Sequence, residues 1–365
     1  MNILCVIDSL GSGGAQRQLV ELALGFKERG HTVSLLVYHE NNFFQSILED
    51  HSIPIFGVYE QNYLVRLLKM VRLIKRGNYD CVLSYLEASN FICELASLVS
   101  SNMRVIVGER SANPNILKSF KLIFYRWFHF LADYVVCNTN ANLNLIKKAN
   151  PILPTQKCRV IYNAVPKKFV KQSQIRPFMR DGVLKIVVGA SHQFLKNSAS
   201  LVAAINLLPP HFKAKVRVHW YGDKVSPPYF DGSFLNSMNL VQEYALEDVI
   251  KFFPATRDIE AHMAEADVIG LFSIYEGLPN LICEAMYLGK PVMVSDVSDM
   301  RILLSHEQRQ IFNPLDVSSI KDTIEWYLAL SEIEVNDIGQ QNFEVAKKHF
   351  NRDYVISQYL NLMAP

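Results

Sequence analysis

Residues 2–38 have the sequence NILCVIDSLGSGGAQRQLVELALGFKERGHTVSLLVY, and this segment sets the expected fold class. Asn2–Asp8 is a short apolar run typical of a buried strand. Apolar residues then recur with helical spacing over Ala15–Arg29, Gly30 ends that helix, and Thr32–Tyr38 predicts the next strand. A strand–helix–strand unit with apolar strands predicts a parallel sheet that is covered on both faces.

The same alternation continues along the chain in two series. The first series adds strands at Cys81–Tyr85, Val105–Gly108 and Tyr134–Asn138. The second contains strands at Leu184–Gly189, Val216–Tyr221, Val249–Phe253, Val268–Ser273 and Pro291–Ser295, and helices at Ser198–Leu208, Ile259–Ala266 and Asn280–Leu288. We therefore predict an α/β protein with two Rossmann-like, doubly wound domains facing each other across a cleft. Because ligands bind outside the carboxyl ends of such strands, the cleft is the expected site.

The length of 365 residues suits two domains better than one. We place the first domain at residues 1–165 and the second at 183–345. Between them, residues 166–182 are rich in lysine and arginine with little apolar periodicity, which is typical of a linker. Residues 346–365 predict a C-terminal helix that packs back on the first domain.

Composition excludes several classes of protein. The net charge of +2 is too small for binding by bulk electrostatics, so we predict no nucleic-acid partner. Six scattered cysteines, with no C-x-x-C pair, favour buried reduced thiols over zinc or disulfides. The N-terminus lacks the basic region of a signal peptide, and charged residues interrupt the apolar stretch Leu117–Cys137. These features predict a cytoplasmic protein, with peripheral contact to the inner face of the cytoplasmic membrane left open.

The segment of greatest chemical interest is Glu276–Glu284, EGLPNLICE. It follows the predicted strand Val268–Ser273 and enters a helix near Asn280, so one carboxylate lies at a strand end and the other in the first turns of a helix. The turn between them would expose backbone N–H groups, which hold anions together with the helix dipole. Carboxylates suit sugar and ribose hydroxyls, because each oxygen accepts two hydrogen bonds. Two surface glutamates would be the simpler interpretation, but this setting favours a ligand site.

The run from Ser273 to Val292 resembles family 4 of the retaining glycosyltransferases, in which two glutamates separated by seven residues mark the donor site. The resemblance implies a GT-B fold and transfer of a sugar from a nucleotide-sugar, UDP-linked by preference and GDP-linked as second choice, to a saccharide acceptor. It implies that Glu276 contacts the transferred sugar and that Glu284 contacts the ribose. The turn residues facing the sugar and diphosphate would be Gly277, Leu278, Pro279 and Asn280.

Three further segments match the family in the family's order. Ser9–Arg17 is similar to its glycine-rich loop, where glycines let the backbone approach donor phosphates and acceptor closely. The candidates from this loop are Gly13 and Gly14 for the donor and Arg17 for the acceptor. Val188–Asn197 resembles the loop whose lysine binds the diphosphate, here Lys196. Arg159–Val165 resembles the stretch before the interdomain linker, so the matches extend over most of the chain.

One departure from the family pattern concerns the donor phosphates. Ala190 stands where many members have an arginine, the companion of the phosphate-binding lysine. Its loss removes a fixed cation that would stabilise the departing diphosphate. His192, Arg110 or Arg257 could replace it, and spacing does not choose among them.

Two other departures lie in the first domain. Asn163-Ala164 stands where the family has Asn-Gly, and Glu109 stands where many members have a histidine on the acceptor side. Because Glu109 and Arg110 follow a buried strand, they are candidates for acceptor recognition, and a structural ion pair is the equal alternative. Glu109 thus joins Glu276 and Lys196 as a candidate catalytic residue.

The motifs predict chemistry without a metal or another cofactor. No Asp-x-Asp motif follows a strand, and no His/carboxylate cluster stands out in the sequence. Lys196 and the helix-terminal amides would then neutralise the leaving group. The resemblance implies retention, in which the acceptor hydroxyl attacks the face from which the nucleotide leaves.

Two segments of the first domain, Tyr63–Arg76 and Asn115–Phe130, mix bases with large apolar residues. The bases are Arg66, Lys69, Arg72, Lys75 and Arg76 in the first segment and Lys118, Lys121 and Arg126 in the second. Such helices can lie in an anionic membrane interface, where a lipid-linked saccharide acceptor would be found. Helices that cover the sheet while their bases reach water are the equal alternative.

Three other functions remain as alternatives. A nicotinamide-dependent oxidoreductase would use Gly11-x-Gly13, but the third glycine of that fingerprint is Gln16, and Glu40 is poorly spaced to bind ribose. A nucleotide-sugar epimerase can share the GT-B fold, so fold alone does not exclude it. A catalytically silent relative is suggested only by Ala190.

Overall fold

A computed structural model describes residues 1–100, 102–170, 178–179, 182–224 and 231–364. The chain divides into two compact units, one formed by Met1–Ala164 with Phe350–Pro365 and the other by Val165–His349. These bounds lie close to the predicted domain limits at residues 165 and 345. Residues 171–177, 180 and 181 of the predicted linker lie outside the described residues.

The first unit contains a parallel sheet of seven strands. They are β1 (Asn2–Val6), β2 (Thr32–Val37), β3 (Ile55–Gly57), β4 (Cys81–Tyr85), β5 (Arg104–Glu109), β6 (Tyr134–Cys137) and β7 (Cys158–Val160). Their spatial order is β3-β2-β1-β4-β5-β6-β7, and every neighbouring pair is parallel. From β1 the chain adds strands toward one edge of the sheet, and from β4 it adds strands toward the other edge. The carboxyl ends of β1 and β4 therefore form the switch point where doubly wound sheets bind ligands.

Helices cover both faces of this sheet. They are α1 (Gly14–Glu28), α2 (Gln45–Asp50), α3 (Tyr63–Arg76), α4 (Glu87–Ser97), α5 (Phe120–Trp127) and α6 (Asn140–Ala149), with 3₁₀ turns at Pro114–Lys118, Phe128–Leu131 and Thr155–Lys157. Helix α1 buries Leu19, Leu22 and Phe26, which recur every three or four residues and face the strands. Gly30 follows it with a φ of 81°, a conformation that ends the helix at little cost for a residue without Cβ.

The second unit contains six parallel strands. They are β8 (Leu184–Gly189), β9 (Val216–Tyr221), β10 (Ile250–Phe253), β11 (Val268–Leu271), β12 (Val292–Ser295) and β13 (Ile311–Phe312), in the order β10-β9-β8-β11-β12-β13. Its helices are α7 (Lys167–Val170), α8 (Ser198–Asn206), α9 (Pro210–Lys213), α10 (Ser233–Glu243), α11 (Ile259–Ala264), α12 (Asn280–Tyr287), α13 (Met300–Leu303), α14 (Val317–Ala329) and α15 (Glu332–His349), with 3₁₀ turns at Phe194–Lys196 and Gln308–Gln310. Its switch point lies between β8 and β11.

The last helix, α16 (Arg352–Met363), returns to the first unit and packs against α1. Arg352 donates to Glu28 at 2.8 and 3.1 Å and also pairs with Glu21, so two carboxylates of α1 hold its guanidinium. Farther along, the Tyr359 hydroxyl lies 3.0 Å from that of Tyr85 in β4. This helix is therefore part of the core of the first unit.

The predicted α/β class with two Rossmann-like sheets is confirmed. Buried strands such as β4, β8 and β9 have the predicted bounds. Strands β3, β7 and β13, which have two or three residues and lie at sheet edges, were not predicted. All six cysteines are buried and free, as expected. Within the residues that the structure describes, none of the helices combines the length and the apolar character needed to cross a membrane.

Candidate active site

Two of the predicted donor residues follow the neighbouring strands β8 and β11. Lys196 ends a 3₁₀ turn after β8, and Glu276 follows β11. The Ile274 N–H donates to the Leu195 carbonyl at 2.8 Å, which ties the two loops together. Asn197 then adopts a left-handed φ of 61° before α8 begins. The switch point of this sheet thus brings together residues that are 80 positions apart in the sequence.

Lys196 and Glu276 contact each other directly. The ammonium group of Lys196 donates to Oε1 of Glu276, and the Ser273 hydroxyl donates to the same oxygen at 2.7 Å. Their side chains are both partly accessible. A cation that lies beside a sugar-accepting carboxylate, open to solvent, can bind a diphosphate with one group and a sugar hydroxyl with the other.

The turn from Gly277 to Asn280 leads into α12, as predicted. Leu278 and Pro279 are buried, whereas Gly277 and Asn280 are partly exposed. Pro279 precedes the helix and has no side-chain group that could cap it, so the helix start lacks the usual side-chain acceptor. Glu284 is the fifth residue of α12 and is only 1% exposed. Its burial differs from the solvated helix position expected of an ordinary glutamate.

The loop after β8 contains Ala190, the residue at the position of the missing arginine, and His192, one of its suggested replacements. The Ala190 carbonyl accepts a hydrogen bond from the Trp220 indole at 2.7 Å, and a Cβ on Gly222 would lie 1.9 Å from the same oxygen. His192, one suggested replacement, is buried against the rings of Phe234 and Trp220. Burial lowers the pKa of His192, and the nearby Lys224 lowers it further. A buried neutral imidazole does not supply the missing cation.

Arg110 and Arg257, the other suggested replacements, belong to different units. The guanidinium of Arg110 donates to the Tyr359 hydroxyl at 2.6 Å and to Asn163 Oδ1 at 3.2 Å, and it stacks over the Tyr85 ring. Three interactions within the first unit thus hold Arg110. Arg257 lies exposed in the loop before α11.

The glycine-rich loop follows β1 at the switch point of the first sheet. Gly13 and Gly14 are exposed, and α1 begins at Gly14 without a side-chain cap. Asp8, at the start of the loop, accepts from the Gln16 amide at 2.8 Å and from the Ser9 N–H at 2.6 Å. The predicted acceptor-side residue Arg17 lies half-buried in the first turn of α1.

Glu109 lies in a buried network of charged groups. One carboxylate oxygen accepts from Arg126 at 2.8 Å and the other contacts His129 Nε2 at 3.1 Å, while the side chain is 3% exposed. Of the two roles left open by the sequence, these contacts favour the structural ion pair, although its partner is Arg126 instead of the adjacent Arg110. A catalytic or acceptor-binding role for Glu109 stays a prediction; in this structure both of its carboxylate oxygens are engaged by Arg126 and His129.

The network continues on both sides of Glu109. Arg126 also donates to Glu87 at 3.1 Å, and His129 Nδ1 lies 2.6 Å from Glu94. Burial alone would lower the pKa of His129, but the carboxylates of Glu94 and Glu109 raise it to about 9. Burial raises the pKa of Glu109, but Arg126 and His129 more than offset this, and its pKa lies below the ordinary value. The two carboxylates thus favour the charged form of His129, while burial raises the pKa of Glu94, its partner at Nδ1.

Two carboxylates of the first unit, Glu87 and Asp8, are not among the site residues predicted from the sequence. Each follows a buried strand at the switch point of the first sheet, β4 and β1 respectively, so the rule that selected Glu109 would also have found them. Glu87 begins α4 directly after Leu86, whose φ of 75° and ψ of 150° are rare outside glycine. Unlike Glu109, Glu87 keeps 29% of its side chain exposed.

Lys196 and Glu276 together offer a cation suited to phosphate and a carboxylate suited to sugar hydroxyls, the combination expected of a transferase that uses a nucleotide-sugar. Comparisons with known proteins agree with this class. The family model of Glycosyltransferase Family 4 matches residues 12–169, and the family model of Glycosyl transferases group 1 matches residues 184–329. The chain belongs to glycosyltransferase family 4 and is a glycosyltransferase with the GT-B type of fold.

Relatives of assigned activity act on lipid-linked sugars. The chain is 22% identical over 305 residues (80% of this chain and 79% of the relative) to N-acetylgalactosamine-N,N'-diacetylbacillosaminyl-diphospho-undecaprenol 4-alpha-N-acetylgalactosaminyltransferase of Campylobacter jejuni. It is 23% identical over 262 residues (66% and 64%) to UDP-Gal:alpha-D-GlcNAc-diphosphoundecaprenol alpha-1,3-galactosyltransferase of Escherichia coli. Among solved structures, Anabaena HepE in complex with UDP superposes with a TM-score of 0.84 at 19% identity, covering 99% of both chains.

Proposed function

We propose that this glycosyltransferase moves a sugar from a UDP-sugar to a lipid-linked saccharide with retention of configuration and without a metal ion. The observation that carries the proposal is the contact between Lys196 and Glu276 at the switch point of the second sheet. The choice of donor is supported by the UDP complex of HepE and by the UDP-Gal named for the Escherichia coli relative. The choice of acceptor is supported by the diphosphoundecaprenol-linked sugars in the names of two relatives.

The proposed chemistry divides the work between the two groups. The carboxylate of Glu276 accepts hydrogen bonds from hydroxyls of the transferred sugar. Lys196 and the backbone amides before α12 bind the diphosphate as negative charge develops on it. The acceptor oxygen attacks C1 from the face that the diphosphate leaves, the C1–O bond to phosphate breaks, and a phosphate oxygen of the donor takes the acceptor proton. Proton NMR of the product's anomeric centre tests this directly, because an inverted product would exclude retention.

A thermal-shift titration with UDP, GDP, ADP and NADH, in parallel buffers with and without EDTA, tests the donor site. A ligand at a hundredfold excess over its dissociation constant stabilises the native state by about 2.7 kcal/mol. We expect UDP to raise the Tm, and Lys196→Ala and Glu284→Ala to remove that rise. Lys215→Ala is the matched control, since Lys215 is exposed at the amino-terminal end of β9.

Each other outcome points to a different function. Stabilisation by NADH alone would support the oxidoreductase, and a UDP effect that disappears with EDTA would contradict metal independence. If UDP binds and a UDP-sugar is converted to its epimer without an acceptor, the epimerase is the better assignment. No stabilisation by any nucleotide would favour a silent relative.

A further inference from the structure

Helices α3 and α5 of the first unit both pack against α4 and present large apolar side chains outward. On α3, Leu64 is 65% and Leu68 56% exposed, whereas Met70 and Ile74 of the same helix are buried in the core. On α5, Phe120 is 85% and Trp127 51% exposed. Covering the sheet accounts for the buried side chains of these helices but not for the outward ones.

The amino-terminal end of α3 lies near α5. The side chains of Tyr63 and Tyr125 are close enough for each to influence the other electrostatically, and both helices pack on α4. Phe91 of α4 lies under α5, with its ring centroid 6.1 Å from that of Phe124 and 4.8 Å from that of Phe128. We name the outward side chains Leu64, Leu68, Phe120, Phe124 and Trp127 the aromatic face. A protein surface rarely exposes so many large apolar groups together unless something binds them.

The charges around the aromatic face are mainly basic. Residues 61–79 contain five bases and residues 110–132 contain four, although Arg110 and Arg126 are held by contacts inside the first unit. The acidic exception is Glu60, which pairs with Lys69 beside α3. Arg72 and Lys75 are exposed on the last turns of α3, beyond its apolar end, and Lys118 and Lys121 are exposed around the start of α5. Because the whole chain carries a net charge of only +2, this basic character is local.

We infer that the aromatic face and its flanking bases bind an anionic membrane surface. The apolar side chains enter the boundary between headgroups and acyl chains, and the lysines and arginines pair with lipid phosphates. Aromatic side chains suit this boundary because they combine an apolar ring with tolerance for a polar edge. The inference rests on the proposed function in one respect: membrane binding would bring a lipid-linked acceptor within reach. Membrane binding itself does not depend on sugar transfer.

Flotation of the full chain with vesicles tests the inference. We expect the protein to float with phosphatidylcholine vesicles that contain phosphatidylglycerol, at least about tenfold more than with phosphatidylcholine alone, and to dissociate in high salt. Phe120→Ser should lower the partition about tenfold, because one exposed phenylalanine leaves the interface. Arg72→Glu with Lys75→Glu should abolish the preference for phosphatidylglycerol. Ile333→Ser, which alters a 74% exposed isoleucine of the second unit, is the matched control and should float like the wild type.

Two results would overturn the inference: wild-type protein that ignores anionic vesicles, or Phe120→Ser protein that floats as the wild type does. Self-association that Phe120→Ser abolishes, without vesicle binding, would instead assign the face to a second copy of the chain. The UDP thermal shift in the same samples separates this inference from the proposed function. A UDP shift without flotation overturns only the membrane inference, and flotation without a UDP shift overturns only the donor assignment.

Discussion

Lys196 donates a hydrogen bond to the carboxylate of Glu276, and the two side chains reach each other from the loops that follow β8 and β11, neighbouring strands of one parallel sheet. In the absence of donor, each group therefore partly neutralises the other. A bound nucleotide-sugar would compete for both, taking the ammonium group with its diphosphate and the carboxylate with its sugar. This competition makes the two halves of the pair separable by experiment.

Glu276→Gln should separate nucleotide binding from transfer. The amide keeps the shape of the carboxylate but releases Lys196 from its ion pair, so we expect UDP to bind at least as tightly as to the wild type by isothermal titration calorimetry. Turnover of the UDP-sugar should fall about a hundredfold or more, the usual cost of losing one electrostatic contact to a transition state. If UDP affinity and turnover fell together, Glu276 would be a nucleotide ligand instead of a sugar ligand.

Arg126→Leu should destabilise the first unit strongly. Arg126 is fully buried between Glu109 and Glu87, and its removal leaves the Glu109 carboxylate without its closest cation. Breaking a buried ion pair in this way costs about 3–5 kcal/mol in the free energy of unfolding, measured by urea denaturation. Adding Glu109→Leu should restore much of the loss.

The control for Arg126 is Arg309→Leu, which breaks a pair with Glu307 whose arginine side chain is 66% exposed. An exposed pair contributes about 0–1 kcal/mol. Equal losses from Arg126→Leu and Arg309→Leu would show that the buried network has no special weight in stability.

Stability should fall between neutral and alkaline pH because of His129. Its pKa is about 9 in the folded protein and has an ordinary value of 6.5, so the folded state binds this proton more tightly. The contribution is fully present below pH 6.5 and is lost as the pH rises through 9; the pKa difference corresponds to about 3 kcal/mol. Glu109, with its lowered pKa, acts in the opposite sense, and its contribution is lost only as the pH falls through the acid range.

Urea denaturation across this pH range measures the effect, with His211→Gln as the control because His211 is exposed. The control should keep the wild-type slope of unfolding free energy against pH, and His129→Gln should flatten it. A wild-type free energy that stays level from pH 6.5 to 9 would mean that the imidazole is neutral between the two glutamates.

Gly222→Ala should distort the loop after β8. Its new methyl group would lie 1.9 Å from the Ala190 carbonyl, and relief of this overlap costs on the order of 1–3 kcal/mol. Because that loop leads to Lys196, we expect weaker UDP binding as well. Gly232→Ala is the comparison: its Cβ has open space, and only its φ of 76° opposes the change, at about 1 kcal/mol. Unchanged UDP affinity in Gly222→Ala would show that the loop adapts without moving Lys196.

The sequence predicted the buried strands well because they are unbroken apolar runs between turn signals. It failed at edge strands such as Ile311–Phe312, where pairing with one neighbour is enough to extend a sheet and leaves no apolar run to detect. The sequence predicts both Lys196 and Glu276 as donor-site residues, but only the strand order shows that they contact each other. Glu109 was selected by the same rule, and the rule could not foresee its burial, because Arg126 comes from a helix 17 residues farther along the chain.

The C-terminal helix α16 has a consequence for biosynthesis. It completes the core of the first unit, yet 185 residues of the second unit, Val165–His349, are translated before it. Glu21 and Glu28 must therefore remain without Arg352, and Arg110 without the hydroxyl of Tyr359, until the ribosome has made the whole of the second unit. The unit that emerges first from the ribosome is thus the last one able to finish folding, and a nascent chain halted before residue 350 would hold an incomplete first unit together with a complete second one.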